Sequence, residues 1–324
     1  MPPLMENLHL FEVPWILLIQ TKLAALGGLF KLLTYLGAEI FYLITPLLLL
    51  GVDRRKGVAF CTLLIIANVS TNTLKLALHW PRPYWVDDRI IGMTPLATSY
   101  GMPSGHAYLS LALWGWLALE FRKRWTVAAA LTLTEIIGLS RVVLGVHWIS
   151  DVLVGWVLGL ITLLGFRWGW PRVEETLRRL GSGTAVVISI LLAAGVLGLN
   201  EGVRRTWAQD PDPASWPVKT RAARAIDPRS AGMALGFGIG LVLARRHRVT
   251  ALPDSFRERA VWVALGAAGV GLLLPGMNWV LRKLSPELVY ETEFIRAILC
   301  GLWLPWGVAW LRRNRATSTA SARA

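Results

Sequence analysis

The chain has 324 residues, of which 54% are hydrophobic and only 17% charged, and its mean hydropathy is +0.50. A soluble chain of this length needs more polar residues to cover its surface. Here, instead, apolar runs of 17 to 23 residues recur throughout, each comparable with the ~20 residues that cross a bilayer core. Disordered and disulfide-rich secreted classes are excluded, and the formal charge of +14 is expected to sit in cytoplasmic loops, with no nucleic-acid partner.

Taken in chain order, Met1 to Gly28 has no basic leader and carries Glu6 and Glu12 before its first Lys, so it makes a poor signal peptide. Its mixture of Trp15, Ile16, Leu17 and Leu18 with Pro14, Gln20 and Lys22 predicts a helix lying at the membrane interface. Nine spans are predicted after it: Leu29 to Gly51, Val58 to Trp80, Gly105 to Phe121, Trp125 to Gly145, Trp148 to Phe166, Thr184 to Asn200, Ala231 to Ala244, Val261 to Leu281 and Phe294 to Leu311. The expected fold class is therefore all-α, a polytopic membrane helical bundle. Both cysteines, Cys61 and Cys300, fall inside apolar runs, which argues against a disulfide or a thiolate metal site. Glu39, Asn68, Asn72 and Glu135 are polar residues within spans, expected to hydrogen-bond between helices.

Lys and Arg in alternate loops number nineteen on one side against twelve on the other, and six of the twelve lie in the long loop Glu201 to Arg229, which constrains orientation weakly. The richer side is assigned to the cytoplasm, with the N-terminus outside and the C-terminus inside. No repeat of fixed period is present. The spacings Gly155 and Gly159, and Gly232, Gly236 and Gly240, predict close helix contacts.

Three polar clusters interrupt this apolar background. The first runs from Lys75 to Arg82 and Pro83 at the outer end of the second span. The second, Pro103-Ser104-Gly105-His106, opens the third span as a helix N-terminus, whose free N–H groups and positive dipole end suit an anion. The third, Ser140-Arg141 to His147 to Asp151, bridges spans four and five. His147 and Asp151 are four apart and so can touch, and a carboxylate on one imidazole nitrogen leaves the other to act as base or nucleophile. Alternating span direction brings all three clusters to one membrane face. Lys75, Arg82 and Arg141 together call for a dianion with several oxygens, and phosphate fits best.

These spacings resemble the three signature motifs of the type 2 phosphatidic acid phosphatase superfamily, and every motif position matches over roughly Leu29 to Phe166. Nine spans, an external N-terminus and Arg82-Pro83-Tyr84-Trp85 are similar to its glucose-6-phosphatase branch. The resemblance implies a catalytic core over 29–170, accessory spans over 171–324 and a preceding interfacial helix over 1–28. It implies that His147 is the nucleophile, Asp151 orients it and His106 is the acid and then the base. Lys75, Arg82, Ser104, Gly105 and Arg141 would hold the phosphoryl oxygens, with no cofactor and no metal. The implied substrate is a membrane lipid phosphate or diphosphate, met at the periplasmic or exterior face of a bacterial inner membrane. Three alternatives stay open: transfer to another acceptor, a lipid transporter that only binds headgroups, and a haloperoxidase, which the membrane spans disfavour. Adjacent Asp87 and Asp88 are expected to form a solvated pair.

Overall fold

A computed structural model describes residues 3–37, 39–94, 99–206, 227–247, 255–284, 288–307 and 310–311. Every regular element among them is helical. The helices are α1 (Pro3–Leu23), α2 (Gly27–Leu33), α3 (Glu39–Val52), α4 (Arg54–Leu78), α5 (Pro83–Val86), α6 (Gly105–Phe121), α7 (Arg124–Val143), α8 (Ile149–Arg179), α9 (Ser182–Thr206), α10 (Arg229–Arg246), α11 (Phe256–Leu284) and α12 (Val289–Leu302). Five stretches are long and apolar enough to cross a membrane: Asn7–Gly37, Arg54–Val86, Arg124–Val143, Ile149–Arg179 and Ser182–Thr206. The expected seventh span, Ala231 to Ala244, lies within the 18-residue α10. At 1.5 Å per residue such a helix reaches about 27 Å, close to a bilayer core. The long loop after Thr206 and the basic tail after residue 311 lie outside the described residues.

Two compact units form. One comprises Met1–Phe41, Ile66–Trp168 and Leu199–Ile226; the other Tyr42–Ile65, Gly169–Gly198 and Asp227–Ala324. In the first, α6 ends where Arg122 adopts a left-handed φ of 53° and returns its N–H to Ala118 O. A short turn then starts α7, so the two helices pack antiparallel, with Gly105 and Val143 at the same end. α8 starts at that end and packs closely on α6. A Cβ added at Gly155 would lie 2.8 Å from Ser104 O, and one at Gly159 would lie 2.6 Å from Tyr108 O. The predicted small-residue contact is present, and Tyr108 Oη with Thr162 Oγ1 at 2.5 Å adds a polar tie between the same helices.

The expected interfacial helix, ending at Gly28, falls on α1 and the start of α2. The apolar helical run Asn7–Gly37 passes that boundary. Its polarity is also inverted: Leu10, Phe11, Trp15 and Leu18 point outward, whereas His9, Glu12, Val13, Ile16 and Gln20 are buried against the unit. Those buried positions recur every three or four residues, so they share one helix face. A helix with its polar side chains inward and its apolar ones outward is suited to lipid on its outer side.

In the second unit, α10 lies along α12, with the backbones of Gly232 and Gly240 against Phe294 O and Leu302 O. The second glycine spacing is therefore also a helix contact. A π-type turn, Trp303–Gly307, continues α12, and Trp303 Nε1 donates to Gly266 O at 3.0 Å. Cys61 and Cys300 are both buried and unbridged.

Candidate active site

The site is assembled at the ends of α4, α6, α7 and α8 in the first unit. α4 stops at Leu78, and His79 takes a left-handed φ of 53° that turns the chain so that Arg82 comes back toward Lys75. Lys75 Nζ donates to Tyr100 O and Gly101 O, each at 2.7 Å. Arg82 donates to Ser99 O at 2.7 Å, Val146 O at 2.8 Å and Ser99 Oγ at 3.1 Å, and its Nη1 lies 3.4 Å from His147 Nε2. Both cations are buried on neutral oxygens.

Three backbone bonds stitch the clusters together. Gly101 N–H donates to Trp80 O at 2.7 Å, Ser104 N–H to Asp151 O at 2.9 Å, and Met93 N–H to Leu144 O at 2.9 Å. A side-chain bond, Trp148 Nε1 to Pro81 O at 2.8 Å, joins the third cluster to the first. Ser104 is the N-cap of α6, its Oγ accepting from Ala107 N–H at 3.5 Å, which leaves the hydroxyl proton free to donate elsewhere. Gly105 is packed under α4: a Cβ there would lie 3.3 Å from Thr71 Cγ2. His106 occupies the first turn of α6 beside Gly37.

α7 ends at Val143, and Gly145, at φ +67°, makes the turn that presents His147. His147 Nδ1 lies 2.9 Å from Asp151 Oδ2. Because a carboxylate only accepts, Nδ1 carries the proton and the Nε2 lone pair points toward Arg82. Burial, followed by the positive charges of Arg82, Lys75 and Arg141 and by His106, holds the His147 imidazole well below its ordinary range. His147 is therefore neutral, the form in which Nε2 is nucleophilic. Arg141 is buried, with Nη1 donating to Thr34 Oγ1 at 2.6 Å and Nε unpartnered. Three desolvated cations share this site with Asp151, whose Oδ2 is committed to His147, and a dianion restores the balance.

The structure thus brings Lys75, Arg82, Ser104, Arg141, His147 and Asp151 into one connected group, with Gly105 and His106 on the adjoining turn. Sequence reasoning missed Ser99, which holds Arg82; Thr34, which holds Arg141; and Glu12, which accepts from Ile149 N–H at 2.9 Å and Ser150 N–H at 3.1 Å. Asp87 pairs with Arg89 at 2.7 Å, and that bond holds its carboxyl below the usual range. Among the described residues, no three His, Cys, Asp or Glu side chains group as metal ligands.

The PAP2 superfamily pattern matches residues 56–174, spanning all three clusters. An undecaprenyl-diphosphatase from Sulfolobus acidocaldarius is 31% identical over 155 residues, 47% of this chain and 73% of that one. The chain belongs to the PAP2 superfamily. A second pattern, the transmembrane extension of PAP2 superfamily phosphatases, matches residues 228–316. Glucose-6-phosphatase 3 from Homo sapiens is 26% identical across 90% of this chain and 92% of its own length. Phosphatidylglycerophosphatase B from Bacillus subtilis is 27% identical over 47% of this chain and 74% of its own. No solved structure matches. As a PAP2 protein with membrane-spanning helices, the chain is an integral membrane phosphatase of this family.

The geometry predicts a sensitive position in the PAP2 site outside the charged groups. A Cβ added at Gly101 would lie 2.8 Å from Asp151 Oδ2 and 3.0 Å from Pro81 O. Gly101→Ala is expected to push the carboxylate off His147 and lower kcat about 100-fold, the scale of a misplacement of about 1 Å, while the protein stays folded. Steady-state kinetics on the purified variant check this, and kcat within about threefold of the parent would contradict it.

Proposed function

We propose that this PAP2 protein hydrolyses a lipid phosphate or diphosphate at the extracytoplasmic face through a covalent phosphohistidine on His147. The observation that carries the proposal is the buried His147–Asp151 pair, with Nε2 directed at a cluster of buried cations held on neutral oxygens. In the first step Nε2 attacks phosphorus, the bond from phosphorus to the leaving oxygen breaks, and His106 protonates that oxygen. In the second step His106 takes a proton from water, the hydroxide attacks phosphorus, and the P–N bond breaks to release inorganic phosphate and neutral His147. Lys75, Arg82, Arg141, the Ser104 hydroxyl and the Gly105 N–H bind the equatorial oxygens, on which charge redistributes in a loose transition state. These groups supply the positive charge that a divalent ion supplies in other phosphatases, so the scheme contains no metal.

The lipid reading is supported by the names of the undecaprenyl-diphosphatase and phosphatidylglycerophosphatase relatives and by a site at helix ends, where a headgroup reaches while its tail stays in the bilayer. On the same reading the chain crosses the membrane nine times, with a catalytic core over 29–170, accessory spans after it, Met1 outside and the C-terminus in the cytoplasm. A soluble sugar phosphate is the second reading. It is favoured by one observation: the glucose-6-phosphatase 3 similarity extends over 90% of this chain, against 47% for each of the other two relatives.

The test is phosphate release by the purified protein in detergent, with a chelator present, from phosphatidic acid, undecaprenyl diphosphate, phosphatidylglycerophosphate and glucose 6-phosphate. Release from at least one lipid is expected, with kcat/KM at least about tenfold above that for glucose 6-phosphate. The opposite order selects the sugar phosphate, and transfer to an added alcohol without free phosphate marks a phosphotransferase. Loss of activity on chelation that Mg2+ restores overturns the metal-free scheme.

A further inference from the structure

The start of α8 leaves four backbone N–H groups, those of Trp148, Ile149, Ser150 and Asp151, that no intrahelical carbonyl can satisfy. Trp148, in the N-cap position, has no side-chain oxygen to offer them. Two carboxylates take their place. Asp151, three residues into the helix, accepts from Trp148 N–H at 3.1 Å through the same Oδ2 that holds His147 Nδ1. Glu12, arriving from α1, accepts from the next two, Ile149 N–H and Ser150 N–H. It is anchored there from both sides of the sequence. His9, one turn earlier on the same face, stacks on the Trp148 ring at 4.1 Å and 8°, and Gln20, two turns later, donates to Val143 O at 3.1 Å.

We propose that Glu12 is a positioning residue for the His147–Asp151 pair, holding the start of α8 so that Asp151 Oδ2 stays on His147. This rests on the phosphohistidine reading above. Glu12 touches neither phosphate nor either histidine of the reaction scheme; it acts through Asp151. Without it, the Ile149 and Ser150 N–H groups would be left open beside a buried carboxylate on the same helical turn. Asp151 Oδ1 has no partner of its own. The carboxylate would then rotate toward those amides and away from His147. The position lies well before the matched catalytic region, which starts at residue 56, so the geometry of the pair depends on a segment outside it.

Glu12 also carries charge into the site. His147 is faced by Lys75 from α4, Arg82 after it, His106 from α6, Arg141 from α7 and Asp151 from α8, with Glu12 and His9 behind the turn. All except Glu12 are kept in a Glu12→Gln variant. Removing one nearby negative charge disfavours the imidazolium form of His147, and loosening Asp151 does the same. The acid limb of kcat/KM, where His147 becomes protonated, must therefore move to lower pH.

The experiment measures p-nitrophenyl phosphate hydrolysis against pH by the full chain, its Glu12→Gln and Glu12→Asp variants and His147→Ala, each checked for monodispersity in detergent. For Glu12→Gln the expected result is a kcat lower by about 10- to 100-fold, KM within about threefold, and an acid limb lower by about half a pH unit or more. Glu12→Asp keeps the charge but is one methylene short of bridging both amides. Its acid limb is expected between those of the parent and of Glu12→Gln, because only the loosening of Asp151 remains, with kcat reduced by about tenfold. Should the glutamine variant not yield folded protein, the kcat of the aspartate variant decides. Parental kcat and an unmoved acid limb in a folded variant, with His147→Ala inactive, overturn the role of Glu12 and leave the phosphatase reading intact. An active His147→Ala protein overturns that reading instead.

Discussion

Replacing His147 with alanine is expected to abolish phosphate release from every substrate, lowering kcat by about 10^4-fold or more. The imidazole supplies the atom that bonds to phosphorus, and its other nitrogen, Nδ1, is held on Asp151. The loss should not depend on the leaving group, because without the nucleophile neither an activated nor an unactivated ester can enter the covalent pathway. Since the change also strips Asp151 of its partner, the variant must be shown to be folded and monodisperse before its rate is read. Turnover within about tenfold of the parent would remove His147 from the reaction.

His106→Ala is expected to divide substrates by leaving group. With an alkyl or lipid phosphate the departing oxygen is strongly basic, so loss of the proton donor should cost on the order of 10^2- to 10^4-fold in kcat. An aryl phosphate needs little protonation in the first step. The variant should therefore release one equivalent of aryl alcohol in a burst and then stall, because nothing activates water for the second step. Stopped-flow absorbance at the phenolate band reads both phases. A burst retained by His147→Ala and lost by His106→Ala would exchange the two roles.

The contacts of the candidate site were legible in the sequence because their signals are local or periodic. His147 and Asp151 announce their contact by being four apart, and Ser104 followed by Gly105 marks a helix start whatever surrounds it. The glycines at 155 and 159 likewise carried their own spacing. The supporting groups were not legible for the opposite reason. Glu12 meets Ile149 across 137 positions, and Thr34 meets Arg141 across 107, and no local pattern encodes such a pairing.

A usable signal was nevertheless present in α1. His9, Glu12, Val13, Ile16 and Gln20 share one face at helical spacing, and a face that gathers polar residues in an otherwise apolar segment is the one that packs on protein. The mixture of Trp15, Ile16, Leu17 and Leu18 with Pro14, Gln20 and Lys22 predicts an interfacial helix up to Gly28, and the apolar helical run Asn7–Gly37 continues past that residue. The division of the chain was equally hidden. Tyr42–Ile65 belongs with the C-terminal helices, although sequence order places it beside the polar clusters.

The central claim, that phosphate passes through a covalent bond to His147, is tested most directly by locating the phosphoryl group. The His106→Ala variant, mixed with an aryl phosphate and quenched in alkali to preserve an N-linked phosphoryl group, is digested and sequenced by mass spectrometry. The account predicts one phosphoryl group per active site, on the peptide containing His147 and on that residue. Phosphate on any other side chain, or a complete burst of aryl alcohol with no phosphorylated peptide, would contradict it.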